Sequence, residues 1–174
     1  MNKQHNQTPN APHRLGVDIG RVIMCPADAD GRPDTSFLEA RDDDALDVPP
    51  APHALSVLPE LVELFRGQVW LISKAGSRIE HLTRRWFERH AFFERSGISR
   101  DHLRFCRRRP EKRTHTDELA ITHFIDDRTD VLTHLRGGVE NLYLFGTQTE
   151  PIPEWVIPVP DWPSVRAVLM RAPS

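Results

Sequence analysis

The sequence predicts an α/β domain built as a three-layer α/β/α Rossmann-like parallel sheet, and three observations carry that expectation. Short apolar runs alternate with stretches of helical period along most of the chain. The connections between them are short, which favours parallel strands joined by right-handed crossovers. Polar residues suited to chemistry, Asp18, Ser73 and the Asp126–Asp127 pair, stand at the carboxyl ends of apolar runs, where open α/β sheets bind ligands.

Length and composition bound the answer. With 174 residues, 39% hydrophobic, the chain fits one domain that buries about 70% of its unfolded surface. Cys25 and Cys106 are too few for a disulfide framework and lack the pairing of a zinc site, so both are expected to be reduced packing residues. No basic-then-apolar leader opens the chain, and no apolar run approaches the roughly 20 residues needed to span a bilayer. The expectation is a cytoplasmic protein with no membrane partner. A net charge of -2 says little about partners, but its distribution is uneven: acids crowd residues 28–47 and bases crowd 104–113.

In chain order, residues 1–13 read as a disordered tail and 14–174 as the single domain. The first strand is expected over 15–24, an aliphatic run carrying one acid, Asp18. Residues 26–53 hold eight acids with many prolines and little periodicity, which is loop or small-hairpin chemistry. Asp28-Ala29-Asp30-Gly31 starts like a calcium loop but lacks the later ligands and the closing Glu, so it reads as solvated. Lying directly after the key strand, the 26–56 insertion is placed to act as a lid. A helix follows over 58–66, with Pro59 in its first turn and Gly67 as its stop. The run 69–72 is apolar at every position, as a strand covered on both faces is, and it ends at Ser73. Ser77 and Glu80 have capping-box spacing, opening a helix of about fourteen residues whose Ile79, Leu82, Trp86 and Phe87 form a core face. His81 and His90 have no second ligand at recognisable spacing. Beyond them come a strand over 103–106, a basic stretch, a short helix over 116–119 and a strand over 121–125. A helix over 129–136 ended by Gly137 and Gly138, and a strand over 139–145, complete the sheet. The proline-rich tail 151–163 reads as an extended wrap pinning a last helix over 164–170.

The chemistry centres on Asp18. A lone carboxylate in an aliphatic run costs several kcal/mol to bury unless it is paired or ligates a metal, so it should face a polar site at a strand end. Ser73, Lys112 and Asp126–Asp127 are placed to meet it. Each alone also fits a strand terminator or helix cap; their joint order is the informative feature.

That order, Asp18-Ile19-Gly20-Arg21-Val22-Ile23, then Leu71-Ile72-Ser73, then Lys112, then Phe124-Ile125-Asp126-Asp127 with Asp130, resembles the four motifs of the haloacid dehalogenase-like (HAD) superfamily of phosphatases over about residues 15–145. A receiver domain combines similar groups, but its acidic pair comes first in the chain. The resemblance implies that Asp18 is the nucleophile of an aspartyl-phosphate mechanism and that Mg²⁺ is held by Asp18, the Gly20 carbonyl and Asp126, with Asp127 or Asp130 supporting. It also implies that Ser73 and Lys112 hold the phosphoryl group, Lys74 being a substitute for Lys112. This agrees with what phosphoryl transfer requires: an in-line nucleophile, a hard cation, and donors on the phosphoryl oxygens.

Gly20 departs from the pattern, because most such phosphatases place a second Asp there as general acid and base, a role worth about 10²- to 10⁴-fold. Relatives resembling sugar-phosphate phosphatases share this Asp-x-Gly start, and a dehalogenase-like reaction stays open, though those relatives carry large helical caps. Too few residues remain here for a large cap domain, so a capless, open site is expected. Arg107, Arg108 and Arg109 then read either as a solvated loop or as an anion funnel for a large substrate. The expected partner is a phosphorylated substrate, small molecule or macromolecule; no aromatic interleaving supports nucleic acid, and no signal bears on oligomeric state. The expectation is therefore a Mg²⁺-dependent hydrolase, with a catalytically weak HAD-like module binding a phosphorylated ligand or protein partner as the second reading.

Overall fold

A computed structural model describes residues 12–171, so all but two residues of the expected tail lie outside the described residues. Six parallel strands form one sheet in the order β3-β2-β1-β4-β5-β6. They are β1 (Leu15–Val17), β2 (Val69–Lys74), β3 (Leu103–Cys106), β4 (His123–Asp126), β5 (Asn141–Phe145) and β6 (Ile157–Val159). Alternating residues feed two separate cores. Val69, Leu71, Ile125, Tyr143 and Phe145 pack on one face with residues of α3 (Ala54–Leu64), α4 (Ser77–Arg89), α5 (Phe92–Ser96) and α8 (Trp162–Leu169). Ile72, Phe124, Leu142 and Leu144 pack on the other with residues of α7 (Thr129–Leu135). The expected three-layer α/β/α Rossmann-like architecture is what the chain adopts. Among the described residues, no helix is long and apolar enough to cross a membrane.

Several elements differ from expectation for local reasons. The first strand ends at Val17, because Ile19 accepts backbone bonds from Val22, Ile23 and Met24 and the chain turns back at once. Residues 22–24 are apolar because the turn is buried, not because it is extended. The indole of Trp162 in α8 donates to the Val22 carbonyl at 2.9 Å and pins this turn. Residues 26–53 are neither loop nor hairpin throughout; they contain two single-turn helices, α1 (Ser36–Glu39) and α2 (Asp42–Ala45). Helix α3 begins four residues early, placing Pro59 in its interior. The capping box at Ser77 does not form: Gly76 is the N-cap and no side chain caps α4, because Glu80 pairs with Arg84 and Arg107 instead. The basic stretch after β3 folds into a 3₁₀ turn (Arg109–Glu111) and α6 (Lys112–Glu118). The wrap supplies β6 before α8, with Pro158 tolerated because β6 is an edge strand. Gly16 in β1 is required by packing, since a Cβ there would overlap the Phe124 ring.

Candidate functional site

The strand order reverses between β1 and β4, and a crevice opens beyond their carboxyl ends. Asp18 follows β1 directly, its backbone N–H donating to Ile125 of β4 at 2.9 Å, while Asp126 closes β4. Parallel pairing of Val17 with Ile125 therefore brings the two acids side by side. Ser73, near the end of β2, lines the same cavity. Lys112, the first residue of α6, reaches in from the opposite layer with its ammonium 2.7 Å from Asp126 Oδ2 and 2.8 Å from Asp18 Oδ1.

These are buried charges: Lys112 is 2% exposed and Asp126 wholly buried. Burial alone works to depress the Lys112 ammonium, but Asp126 and Asp18 hold it well above its usual value, so it stays charged. Burial pushes the Asp126 carboxyl up, and repulsion from Asp18 and Asp127 adds to this against the opposing Lys112. Asp127 is likewise raised, by burial first and by Asp18 second, although Arg21 approaches it at 3.5 Å. Lys112, with Arg21 farther off, thus faces three crowded carboxyl groups whose mutual repulsion favours taking up a proton or a cation.

Carboxylate oxygens of Asp18, Asp126 and Asp127 lie within 4.8 Å of one another. Asp18 Oδ1 is paired with the Lys112 ammonium at 2.8 Å, but in an alignment outside hydrogen-bond geometry. A buried carboxylate oxygen so poorly bonded, in an all-oxygen set of crowded acids, suits a hard divalent cation. Asp130 is not part of the cluster. Its carboxylate is bonded to Arg128 at 2.9 and 3.2 Å, and although burial works to raise it, those bonds and the charge of Arg109 keep it low.

The remaining expected residues divide. Gly20 lines the cavity, and a Cβ built on it would meet no atom within 4 Å. Lys74 lines the cavity rim, but Lys112 is the buried cation. Arg107 is spent on Glu80 and the Ala75 carbonyl, and Arg108 on Glu111; only Arg109 of the three lines the cavity. Cys25 and Cys106 are free and buried, as expected.

Three features escaped the sequence reading. Arg21, at φ 61°, is a non-glycine residue in the left-handed region directly after Gly20, strained backbone at the cavity that carries the cation facing Asp127. Its adjacency to the Asp18–Gly20 motif was the available signal. The N-cap of α4, Gly76, lines the cavity and no side chain caps the helix, so the first-turn N–H groups and the helix dipole favour an anion there. Phe37 and Leu38 of α1 also line the cavity, and nothing in their local sequence pointed to it. No known family model matches the chain, and no curated protein matches it.

Proposed function

We propose that the protein is a Mg²⁺-dependent phosphohydrolase of the HAD-like kind, acting on a phosphate ester through an aspartyl-phosphate. The observation that supports this best is the Lys112 ammonium held between Asp18 and Asp126 at the topological switch point, beside Ser73 and the uncapped start of α4. In this reading Asp18 attacks phosphorus as the bond to the leaving oxygen breaks, and water then attacks phosphorus, releasing inorganic phosphate and restoring the carboxylate. Ser73 and the α4 N–H groups orient the phosphoryl oxygens, and Lys112 fixes Asp18 in place. Asp18, Asp126 and Asp127 would hold Mg²⁺, which would supply charge neutralisation for the phosphoryl oxygens.

The test is hydrolysis of phosphate esters with and without Mg²⁺. Asp18→Asn should lower kcat by about 10⁴-fold or more. Saturating Mg²⁺ should raise the thermal midpoint by about 5 °C, and Asp126→Asn should remove most of that shift. Turnover by Asp18→Asn near the wild-type rate would exclude it as nucleophile. The open space at Gly20 favours one second reading, a phosphate-binding module without efficient catalysis. That reading expects beryllofluoride or phosphate binding with no turnover.

A further inference from the structure

Resting on the phosphatase reading, we infer that the substrate is a small monoaryl phosphate whose ring sits on an apolar wall formed by Met24, Phe37, Leu38, Ile79 and Val131. These residues share one cavity with Asp18, Ser73 and Lys112, so an apolar surface and the phosphoryl site are presented to the same molecule. Phe37 is 4% exposed and anchors α1 in the core, whereas Leu38 beside it is 51% exposed. Arg78 fixes that arrangement from α4 by donating to the carbonyls of Leu38 and Ala40 and to Asp42. Leu38 is therefore an apolar side chain held open to water beside the charged cluster, and covering it with an aromatic ring is favourable.

Size and chemistry narrow the choice. The cavity is about 220 Å³, below the ~300–1,000 Å³ of pockets for drug-sized ligands, which suits one phosphoryl group and one ring and not a polymer chain. Outside the cluster of Asp18, Asp126, Asp127 and Lys112, the cavity is lined by Arg21, Lys74, Arg109 and Arg128 against one acid, Asp34, so an anion is the fitting guest there. Among the described residues, Asp18 and Asp127 of the lining acids belong to the carboxylate cluster, which leaves Asp34 as the one other acid that could stand in at Gly20. Asp34 is kept ionised by the Ser36 N–H, and His53 does not line the cavity. A phenoxide departs with its bonding electrons and takes a proton from water afterwards; an alkoxide does this poorly. The neighbouring groove of about 440 Å³ is more polar and shares Arg21, Asp127 and Arg128, but not Asp18, Ser73 or Lys112. A leaving group bonded to the phosphorus under attack by Asp18 therefore lies in the smaller cavity.

The experiment compares phenyl phosphates of graded phenol acidity with glycerol phosphate and a hexose phosphate, using the full chain and Mg²⁺. Phenyl phosphates should be preferred by about 10²-fold or more in kcat/KM, with rates rising steeply as the phenol becomes more acidic. Leu38→Asp should raise KM for phenyl phosphate about 10-fold, well beyond the smaller rise that its charge causes in the inhibition constant of inorganic phosphate. Gly20→Asp, for which there is room, should narrow the gap to glycerol phosphate. Equal kcat/KM for glycerol and phenyl esters, or an unchanged KM in Leu38→Asp, would overturn the inference. Calorimetry with phenylphosphonate and methylphosphonate separates it from the phosphatase reading. Absence of turnover together with tenfold tighter phenylphosphonate binding that Leu38→Asp abolishes would sink catalysis and keep aryl recognition; equal binding of the two phosphonates would sink the inference itself.

Discussion

Two of the regions in which acids meet bases differ chiefly in burial. At the carboxyl ends of β1 and β4, Lys112 is enclosed with Asp18 and Asp126. On the outer surface of α4, Arg78, Arg85 and Arg89 meet Asp42, Asp43 and Asp47 of the strap that contains α1 and α2, at 2.9 to 3.2 Å and open to water. The distances are alike, yet the energetics are not. Removing one partner of a buried set leaves an uncompensated charge in a poorly solvated place, whereas solvent replaces an exposed partner almost freely. The inward acids therefore depend strongly on their partner, and the outward ones weakly.

The largest expected effect breaks the buried set. Lys112→Met should lose about 3 to 5 kcal/mol of stability at neutral pH, read by urea denaturation, because three crowded carboxylates lose their cation. Asp18→Asn should leave stability equal or higher, since the charge it removes repels Asp126 and Asp127 and Lys112 keeps its bond to Asp126. A Lys112→Met protein within about 1 kcal/mol of wild type would show that water, not Lys112, solvates the cluster.

A buried titratable group with no ion pair among the described residues sharpens the contrast. His123, at the amino end of β4, is packed by the rings of His13, Phe65 and Tyr143 and bonded to Thr122 at 2.8 Å. Burial first, and His13 second, lower its pKa to about 4 from 6.5. The unfolded chain therefore takes up a proton before the folded one as pH falls. The neutral ring's contribution is fully present above pH 6.5 and is lost between 6.5 and 4, an effect of about 2 kcal/mol after discounting for the side flanked by exposed His13. Denaturation at pH 7.5 and 4.5 should show His123→Phe losing less stability than wild type across that window. Equal losses would place the acid sensitivity elsewhere.

What the sequence made legible follows the same division. The grouping of Asp18, Ser73, Asp126 and Asp127 was readable because a polar residue closing an apolar run has few places to go in an α/β sheet, whereas Lys112, in a basic stretch, joined them through the order of the motifs. Burial also misled: Val22, Ile23 and Met24 look like strand and are a buried turn. Single-turn helices such as α1 and α2 are too short to show a period, so neither the strap nor the contribution of Leu38 to the cavity was visible. The spacing of Ser77 and Glu80 was a true signal for a cap that lost to a longer-range one, the attraction of Glu80 for Arg84 and Arg107. Asp130 was grouped with the site through the resemblance, and its carboxylate is instead bonded to Arg128.

The smallest expected effect tests the exposed side of the comparison. The eight acids of residues 26–53 read as a solvated loop, and three of them instead bridge to α4. Bridging need not mean holding. Phe37 and Ala45 from the strap are buried in the same core as Leu82 and Trp86 of α4, and the Trp86 indole donates to the Val48 carbonyl at 2.7 Å. Those contacts exclude water and do not depend on salt, whereas each ion pair is worth only about 0.2 to 1 kcal/mol and is screened. Replacing Asp42, Asp43 and Asp47 by Ala should thus cost under about 2 kcal/mol in total, with the loss shrinking in 1 M NaCl. Phe37→Ala alone should cost more, about 3 kcal/mol, at any salt concentration. If the triple variant instead exposes α4 to rapid hydrogen exchange while Phe37→Ala does not, the strap is an electrostatic latch, and the apolar wall at Leu38 is then in place only when that latch is closed.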